Sequence, residues 1–408
     1  MNRLYARHRL DIGPRHLATA FVSLFARDQP AAAAAVEQLW SAHDSALACY
    51  SVRSGFHLLL TALDLQRGSE VLFSAITHPD MARIAGHHGL VAVPVDLDPE
   101  TLAPRLEILE NAISSRSRVL VIAHLFGGHV DLGPLSRLCL RHGIVIVEDC
   151  AQSFQGLPGT GDGHALVSMF SFGMLKTATA LGGAMLTVRD PRLLGRMRAI
   201  QSTWRLQKRS GHLERIVQTA VFVALTRPAA YAAMARLTRA MAIDFDRLVN
   251  TSARAFPAAP TPELIWRLEQ RPGAPLLELL RHRLETFDAA RLLARAATGE
   301  RLAAILPPGL HIGEYALDHS HWLFPVVLDH PDTLIDAARA AGFDAARSAS
   351  SVNAVPAPAT RPDLDPGCAR EVMARLVFLP AYPELGDGGL DTLGAVFDRE
   401  EAHAYVSR

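Results

Sequence analysis

Along the first 190 residues the apolar positions follow two alternating patterns. Short unbroken apolar runs occur at Val71 to Phe73, Leu90 to Val95 and Val119 to Ala123, and a fourth starts at Gly143 and ends at Glu148. Between them, Gly55 to Leu65, Pro79 to His87, Leu106 to Ser114 and Pro134 to His142 place apolar residues three and four apart. The first kind predicts strands buried on both faces and the second predicts the helices that cover them. Two more strands are predicted at Val167 to Phe172 and Gly183 to Val188. Helix and strand in this alternation predict an α/β protein with a doubly wound, mostly parallel sheet.

The ends of the chain break that rhythm. Residues 15–50 read as two helical segments, with the alanine-rich stretch Ala31 to Leu39 explained by helix propensity, and so as an N-terminal arm. Ser202 to Pro260 carries long helical patterns and a Pro-rich end at Phe256 to Pro260. Residues 262–298 read as a long helix, and Leu306-Pro307-Pro308-Gly309 marks a boundary. Residues 310–408 read as a smaller α+β lobe whose clearest strand is Trp322 to Val327. A chain of 408 residues exceeds the ~250–300 at which single cores tend to split, so two lobes are expected. The expected division is an arm at 1–50, a large domain at 51–260 with a helical insert at about 205–260, and a linking helix plus small domain at 261–408.

Composition narrows the picture only a little. Lys+Arg and Asp+Glu are both 41, which gives no reason to expect a nucleic-acid partner. Cys49, Cys139, Cys150 and Cys368 lie far apart without paired spacing, as free thiols in a reducing cytoplasm would, and no metal site is read from them. Arg3, Arg7, His8 and Arg9 are followed by no apolar leader region, so a cytoplasmic location is expected. The run Ile216 to Leu225 is broken by Arg227-Pro228 and falls short of the ~20 residues that span a bilayer.

The chemistry concentrates between Asp149 and Lys176. In parallel sheets ligands sit beyond the carboxyl ends of strands, and Glu148-Asp149 ends a buried one. An acidic residue there, followed by Ser171 and then Lys176 behind the next buried strand, supplies the parts of a pyridoxal phosphate (PLP) site. The amine makes the Schiff base, and the carboxylate favours a protonated pyridine nitrogen by direct pairing. The bland alternatives are a solvated loop lysine and an aspartate that caps a helix starting at Ala151. Gly159-Thr160-Gly161-Asp162-Gly163 has no Gly-Lys-Ser/Thr and no helix behind it, so it reads as a turn rather than a phosphate loop.

An ordered set of motifs resembles the fold-type I PLP enzymes of the DegT/StrS group, best known as nucleotide-sugar aminotransferases. Arg53-Ser54-Gly55-Phe56, Ile76-Thr77-His78-Pro79 and His124-Leu125-Phe126-Gly127 match its first three motifs. Glu148 to Gln152, Ser171 to Lys176 and Gly182-Gly183 complete the set. The resemblance implies a fold-type I PLP transferase: a large sheet domain with a smaller C-terminal α+β domain, assembled as a homodimer with sites at the interface. It implies Lys176 and Asp149 as catalytic residues and Ser54, Gly55, Phe56, His78, Asp149, Gln152, Ser171 and Lys176 as cofactor-binding ones. Ser54 and Gly55, at a predicted helix start, would hold the phosphate, with Phe56 offering a backbone N–H where the family often has Thr. Ser171 would add a hydroxyl to that phosphate, Gln152 would reach the ring hydroxyl edge, and His78 would stack on the ring. His78 also reads as a surface turn residue, and His124 as a cleft residue or a satisfied core histidine.

The implied activity moves an amino group, from glutamate as the expected donor, onto a keto or aldehyde group of a sugar or related hydroxylated acceptor. A PLP-dependent lyase and a non-catalytic PLP-binding regulator are the alternatives. The family's Asn-Tyr-Arg-type segment is not found near 202–260. Between Leu213 and Leu248 apolar residues lie among Arg215, Arg227, Arg236, Arg239 and Arg247, as in a pair of amphipathic helices with a basic rim. Such helices would pack on a dimer partner, or would contact an anionic membrane surface or a greasy substrate, in which case the acceptor is lipid-linked or acylated.

Overall fold

The computed structural model describes residues 3–157, 159–246, 248–249, 260–347 and 349–406. Its centre is a seven-stranded sheet built from β1 (Ala46–Cys49), β2 (Glu70–Ser74), β3 (Val91–Val95), β4 (Ser117–Ala123), β5 (Val145–Asp149), β6 (Val167–Ser171) and β7 (Ala184–Val188), in the order β1-β7-β6-β5-β4-β2-β3. Strands β2 to β6 are mutually parallel, and β7 runs antiparallel between β6 and β1. The carboxyl ends of five strands therefore meet along one edge, where Ala123, Asp149 and Ser171 lie.

Strand periodicity explains the layering. Val71 and Phe73 face a core shared with α3 (Val52–Leu63), α4 (Pro79–His87) and α7 (Pro191–Ser202), while Leu72 between them faces α5 (Leu106–Ala112) and α6 (Leu132–Arg141). Asp side chains cap two of these helices, Asp131 at α6 and Asp190 at α7. On the β1-β7-β6 side, α2 (Gln29–Trp40) and α11 (Ala274–Glu285) close the second face around Trp40, Phe170 and Phe172; α1 (Pro14–Ser23) lies beside them.

The first fifty residues are more than a helical arm. Ala46–Cys49 pairs with β7, and the chain before α1 reaches the second lobe, where Tyr5 bridges Phe343 and the Arg7 guanidinium pairs with Asp344 at 2.7 Å. The Tyr231 hydroxyl donates to the same carboxylate at 2.6 Å, so this buried group joins the N-terminus, α9 (Pro228–Ala240) and the second lobe. The helical stretch after Ser202 forms α8 (Arg209–Leu225) and α9, bent by 94° where Pro228 opens the second helix. Among the described residues no single helix is long and apolar enough to cross a membrane.

Residues 262–298 do not form the single long helix expected. They form α10 (Thr261–Leu268), α11 and the first part of α12 (Ala289–Ile305). The chain is broken at Pro272-Gly273, after Gln270–Arg271 pair with Arg205–Leu206, and again at Asp288, whose carboxylate caps α12. The second lobe packs α12, α13 (Pro331–Ala341) and α14 (Gly386–Val406) against the antiparallel pair β8 (Phe324–Val327) and β9 (Leu376–Leu379). The Pro-rich stretch at 256–260 falls almost wholly outside the described residues.

Candidate active site

A cavity of about 610 Å³ opens at the carboxyl edge of the parallel strands, between the sheet and the second lobe, within the range of cofactor and ligand sites. Asp149 and Lys176 both line it. Asp149 ends β5, where its Oδ1 accepts a hydrogen bond from the Ala151 backbone N–H at 3.0 Å. Burial raises its pKa, opposed by that bond and by the positive charge of Lys176. It does both jobs the sequence left open, holding the turn at Ala151 and facing the cavity.

Lys176 follows β6 through a tight turn in which its own N–H bonds the Gly173 carbonyl at 2.9 Å. Burial lowers its pKa to about 8 against the pull of Asp149, so a usable fraction of the amine is unprotonated near neutrality. Its Nζ lies 4.0 Å from the Trp322 ring centroid, and the Trp322 indole N–H donates to the Leu175 carbonyl at 2.9 Å. The second lobe thus fixes the position of the lysine through an aromatic face. The chain has only two lysines, Lys176 and Lys208, and every other strong base is arginine. That scarcity is a sequence signal in its own right, because a guanidinium replaces an ammonium as a charge but not as a nucleophile.

Gln152, Ser171 and His78 also line the cavity. The Gln152 Oε1 accepts from the Phe126 N–H at 2.8 Å, which aims the amide while leaving its NH₂. His78 caps α4, its Nδ1 accepting from the Asp80 N–H at 3.1 Å, so it combines the turn reading with a place on the wall. His124 borders the cavity, but its side chain is committed: Nδ1 accepts from Val130 N–H and Nε2 contacts Glu148, both at 3.0 Å. The core reading of His124 describes this geometry better.

Ser54, Gly55 and Phe56 do not line the cavity. Helix α3 starts at Val52, three residues before the expected start, so these residues fall on its inner face. The Ser54 N–H is taken by the Ser51 hydroxyl at 3.1 Å and the Ser54 hydroxyl donates to the Leu268 carbonyl at 2.8 Å. Gly55 is pressed against Leu186, and Phe56 packs edge to face on Phe73 in the core. Ser51, Val52 and Arg53, at the true N-terminus of α3, line the cavity in their place. A capping residue sought one turn earlier, at Ser51, was the available signal.

The rest of the wall comes from places no local motif marks. Arg215 and Phe222 reach it from α8, Leu276 from α11, and Arg347 and Asn353 from the second lobe. Arg53 and Arg83 share Asp80, at 2.6 and 2.8 Å, and against burial the charges of His78 and of these two arginines hold its carboxyl below the ordinary range. An enclosed primary amine, a carboxylate on the same cavity and a helix N-terminus on its rim are the donor set that PLP requires, so these residues fit the cofactor.

Comparison with known proteins agrees with this geometry. The model of the DegT/DnrJ/EryC1/StrS aminotransferase family matches residues 33–244, just over half of the chain. An L-glutamine:2-deoxy-scyllo-inosose aminotransferase of Streptomyces kanamyceticus is 34% identical over 186 residues, which is 42% of this chain and 42% of that protein, less than half of its length. Among solved structures, an aminotransferase of Streptoalloteichus hindustanus superposes with a TM-score of 0.66 at 18% identity, covering 99% of both chains. A sugar aminotransferase of Micromonospora echinospora gives 0.67 at 20% identity, covering 97% of this chain and 99% of its own. These two likenesses establish the fold, that of the PLP aminotransferases.

Proposed function

The chain belongs to the DegT/DnrJ/EryC1/StrS aminotransferase family, and from that premise we propose that it is a PLP-dependent aminotransferase acting on a keto or aldehyde group of a sugar-like, hydroxylated acceptor. The observation that carries the reading is Lys176 beside Asp149 at the strand ends, with burial lowering the lysine pKa to about 8. Bound PLP supplies an electron sink for the bond that breaks at the amino-bearing carbon. Lys176 would offer an unprotonated amine to the cofactor aldehyde and would then carry a proton between the amino-bearing carbon and the cofactor's aldehyde carbon, on either side of the shared nitrogen, its Nζ kept in place by the face of Trp322. Asp149 would hold a positive charge on the ring nitrogen, and the burial that raises its pKa would strengthen that pairing. Ser51, Val52 and Arg53 would hold the phosphate at the start of α3, with the Ser171 hydroxyl added to it, and Gln152 would orient the ring. The amino donor is glutamate or, as in the name of the S. kanamyceticus relative, glutamine.

The test separates the two halves of the reaction. Mixed with the PLP-loaded protein, glutamate or glutamine should give one equivalent of the corresponding keto acid per site, and a sugar-type ketone should then restore the original absorbance. Ammonia release without such restoration would point to a lyase instead.

The working unit is proposed to be a homodimer in the cytoplasm. Phe21 and Val22 on α1, Phe25 just past its end, and Val217 and Val221 on α8 are all more than half exposed, and these two helices adjoin. A face of that kind is normally covered, and a second copy, as in closed twofold assemblies, covers it while bordering the cavity through α8. Contact of 213–248 with an anionic membrane is the competing reading, favoured by the apolar exposure of Leu237, Met241 and Ile243 beside Arg236 and Arg239. Light scattering with and without anionic vesicles decides between them: a dimer that ignores vesicles supports the first, a vesicle-bound monomer the second.

A further inference from the structure

Away from the cavity, the segment between α12 and β8 brings three histidines together. His311, His319 and His321 each offer a ring nitrogen, and these atoms lie within 4.8 Å of one another. His311 and His321 are buried, at 8% and 4% exposure. Among the described residues both nitrogens of His311, Nε2 of His319 and Nδ1 of His321 are buried without a hydrogen-bond partner. Buried polar groups are rarely left unpaired, and four in one cluster call for an occupant.

The surroundings are shaped to hold these rings. His311 stacks on Phe324 at 4.4 Å and its backbone bridges Val326 of β8. The His319 and His321 rings lie 4.1 Å apart, and Ser320 between them is tied by its N–H to the Gly127 carbonyl at 2.8 Å and by its carbonyl to Arg295 Nε at 2.9 Å. On α12 a side chain at Gly299 would put its Cβ 2.1 Å from the His321 ring, so the space that ring occupies exists because residue 299 is glycine.

We propose that His311, His319 and His321 bind one divalent transition-metal ion of the zinc class, with its fourth position open to water. Three imidazoles in a closed cluster match the three-histidine zinc arrangement. The cluster has no carboxylate. That selects against a hard cation such as magnesium or calcium, held by negative oxygen, and for an ion held by nitrogen lone pairs. His319 must rearrange to take part, because its Nδ1 accepts the His321 backbone N–H at 3.0 Å; ligation through Nε2 moves the ring proton to Nδ1 and gives up that bond. The ion fastens the loop that ends at Trp322, the residue whose ring faces Lys176. Its existence does not depend on the reaction proposed above.

The test uses tag-free protein stripped with a chelator and titrated with cobalt(II), then zinc(II). One equivalent of cobalt should bind with the visible absorption of a nitrogen-ligated ion, zinc should displace it, and either ion should raise the melting temperature. His319→Gln, on the more accessible of the three rings, should weaken cobalt binding by ~100-fold or more, beyond the loss typical of an outer-shell partner, without changing the melting temperature of the metal-free protein. His321→Gln should do the same to binding. Absence of stoichiometric binding to folded protein, or binding unaffected by both substitutions, would overturn the proposal.

Discussion

The floor and the wall of the cavity are built in different ways. The floor, Asp149, Gln152, Ser171 and Lys176, comes from one short stretch of chain, because neighbouring parallel strands deliver their ends to one edge. The wall is gathered from α3, α8, α11 and the second lobe, from Arg53 to Asn353. Strand geometry therefore fixes the chemistry, while recognition depends on how distant helices happen to pack. Substitutions on the floor should stop the reaction with any substrate, and substitutions on the wall should change which substrate is used.

The largest effect is expected at Lys176. Lys176→Arg keeps the charge and removes the nucleophile, and turnover should fall by ~10⁴-fold or more, at or beyond the upper end of a positioned acid–base contribution. The same amine sets a pH dependence. Burial lowers its pKa from 10.5 to about 8, so capture of a cofactor aldehyde should accelerate as pH rises through 8 and level off above it. An ordinary lysine would still be gaining rate near pH 10; a stopped-flow profile without the plateau would count against the buried-amine geometry.

Next comes Asp149→Asn, which should retain the cofactor yet slow the half-reaction with the amino donor by ~10²–10⁴-fold, because an amide does not hold a ring nitrogen protonated. Single-turnover rates near normal would mean that another group faces that nitrogen. On the wall, Arg215→Ala should raise KM for the acceptor by ~10-fold and leave the donor half-reaction unchanged, since Arg215 borders the cavity from α8 and is tied there to Gln218 at 3.0 Å. A variant slowed equally in both halves would erase the distinction between floor and wall. The smallest effect is expected from Ser54→Ala. Loss of its bond to the Leu268 carbonyl should cost about 1 kcal/mol in denaturant unfolding, with PLP affinity unchanged. A marked loss of PLP affinity would restore Ser54 to the phosphate site.

The same contrast governs what the sequence disclosed. Strands β2 to β7 were legible because strands buried on both faces, the parallel β2 to β6 and the antiparallel β7 alike, are largely apolar runs, and the Asp149 to Lys176 stretch was legible because its chemistry is local. Strand β1 escaped notice: Ala46–Cys49 has no pattern of its own beside an alanine-rich helix and is a strand only because β7 offers it a partner. The α3 start was misplaced because Ser51 and Ser54 are both plausible caps, and only the packed structure turns Ser54 toward Leu268. Trp322 was visible as the first residue of a strand, yet nothing local to it shows that it meets Lys176, which lies far away in the sequence. The histidines at 311, 319 and 321 gave no recognised spacing, since their convergence depends on β8 and on Gly299 of α12.

The account rests on Lys176 as the residue that holds the cofactor, and the near absence of other lysines makes a direct test clean. PLP-loaded protein should be reduced with borohydride, digested and mapped by peptide mass spectrometry. The pyridoxyl group should appear on Lys176 at one equivalent per chain, with Lys208 unmodified; a stoichiometric label on Lys208 or the N-terminal amine, with Lys176 free, would contradict it.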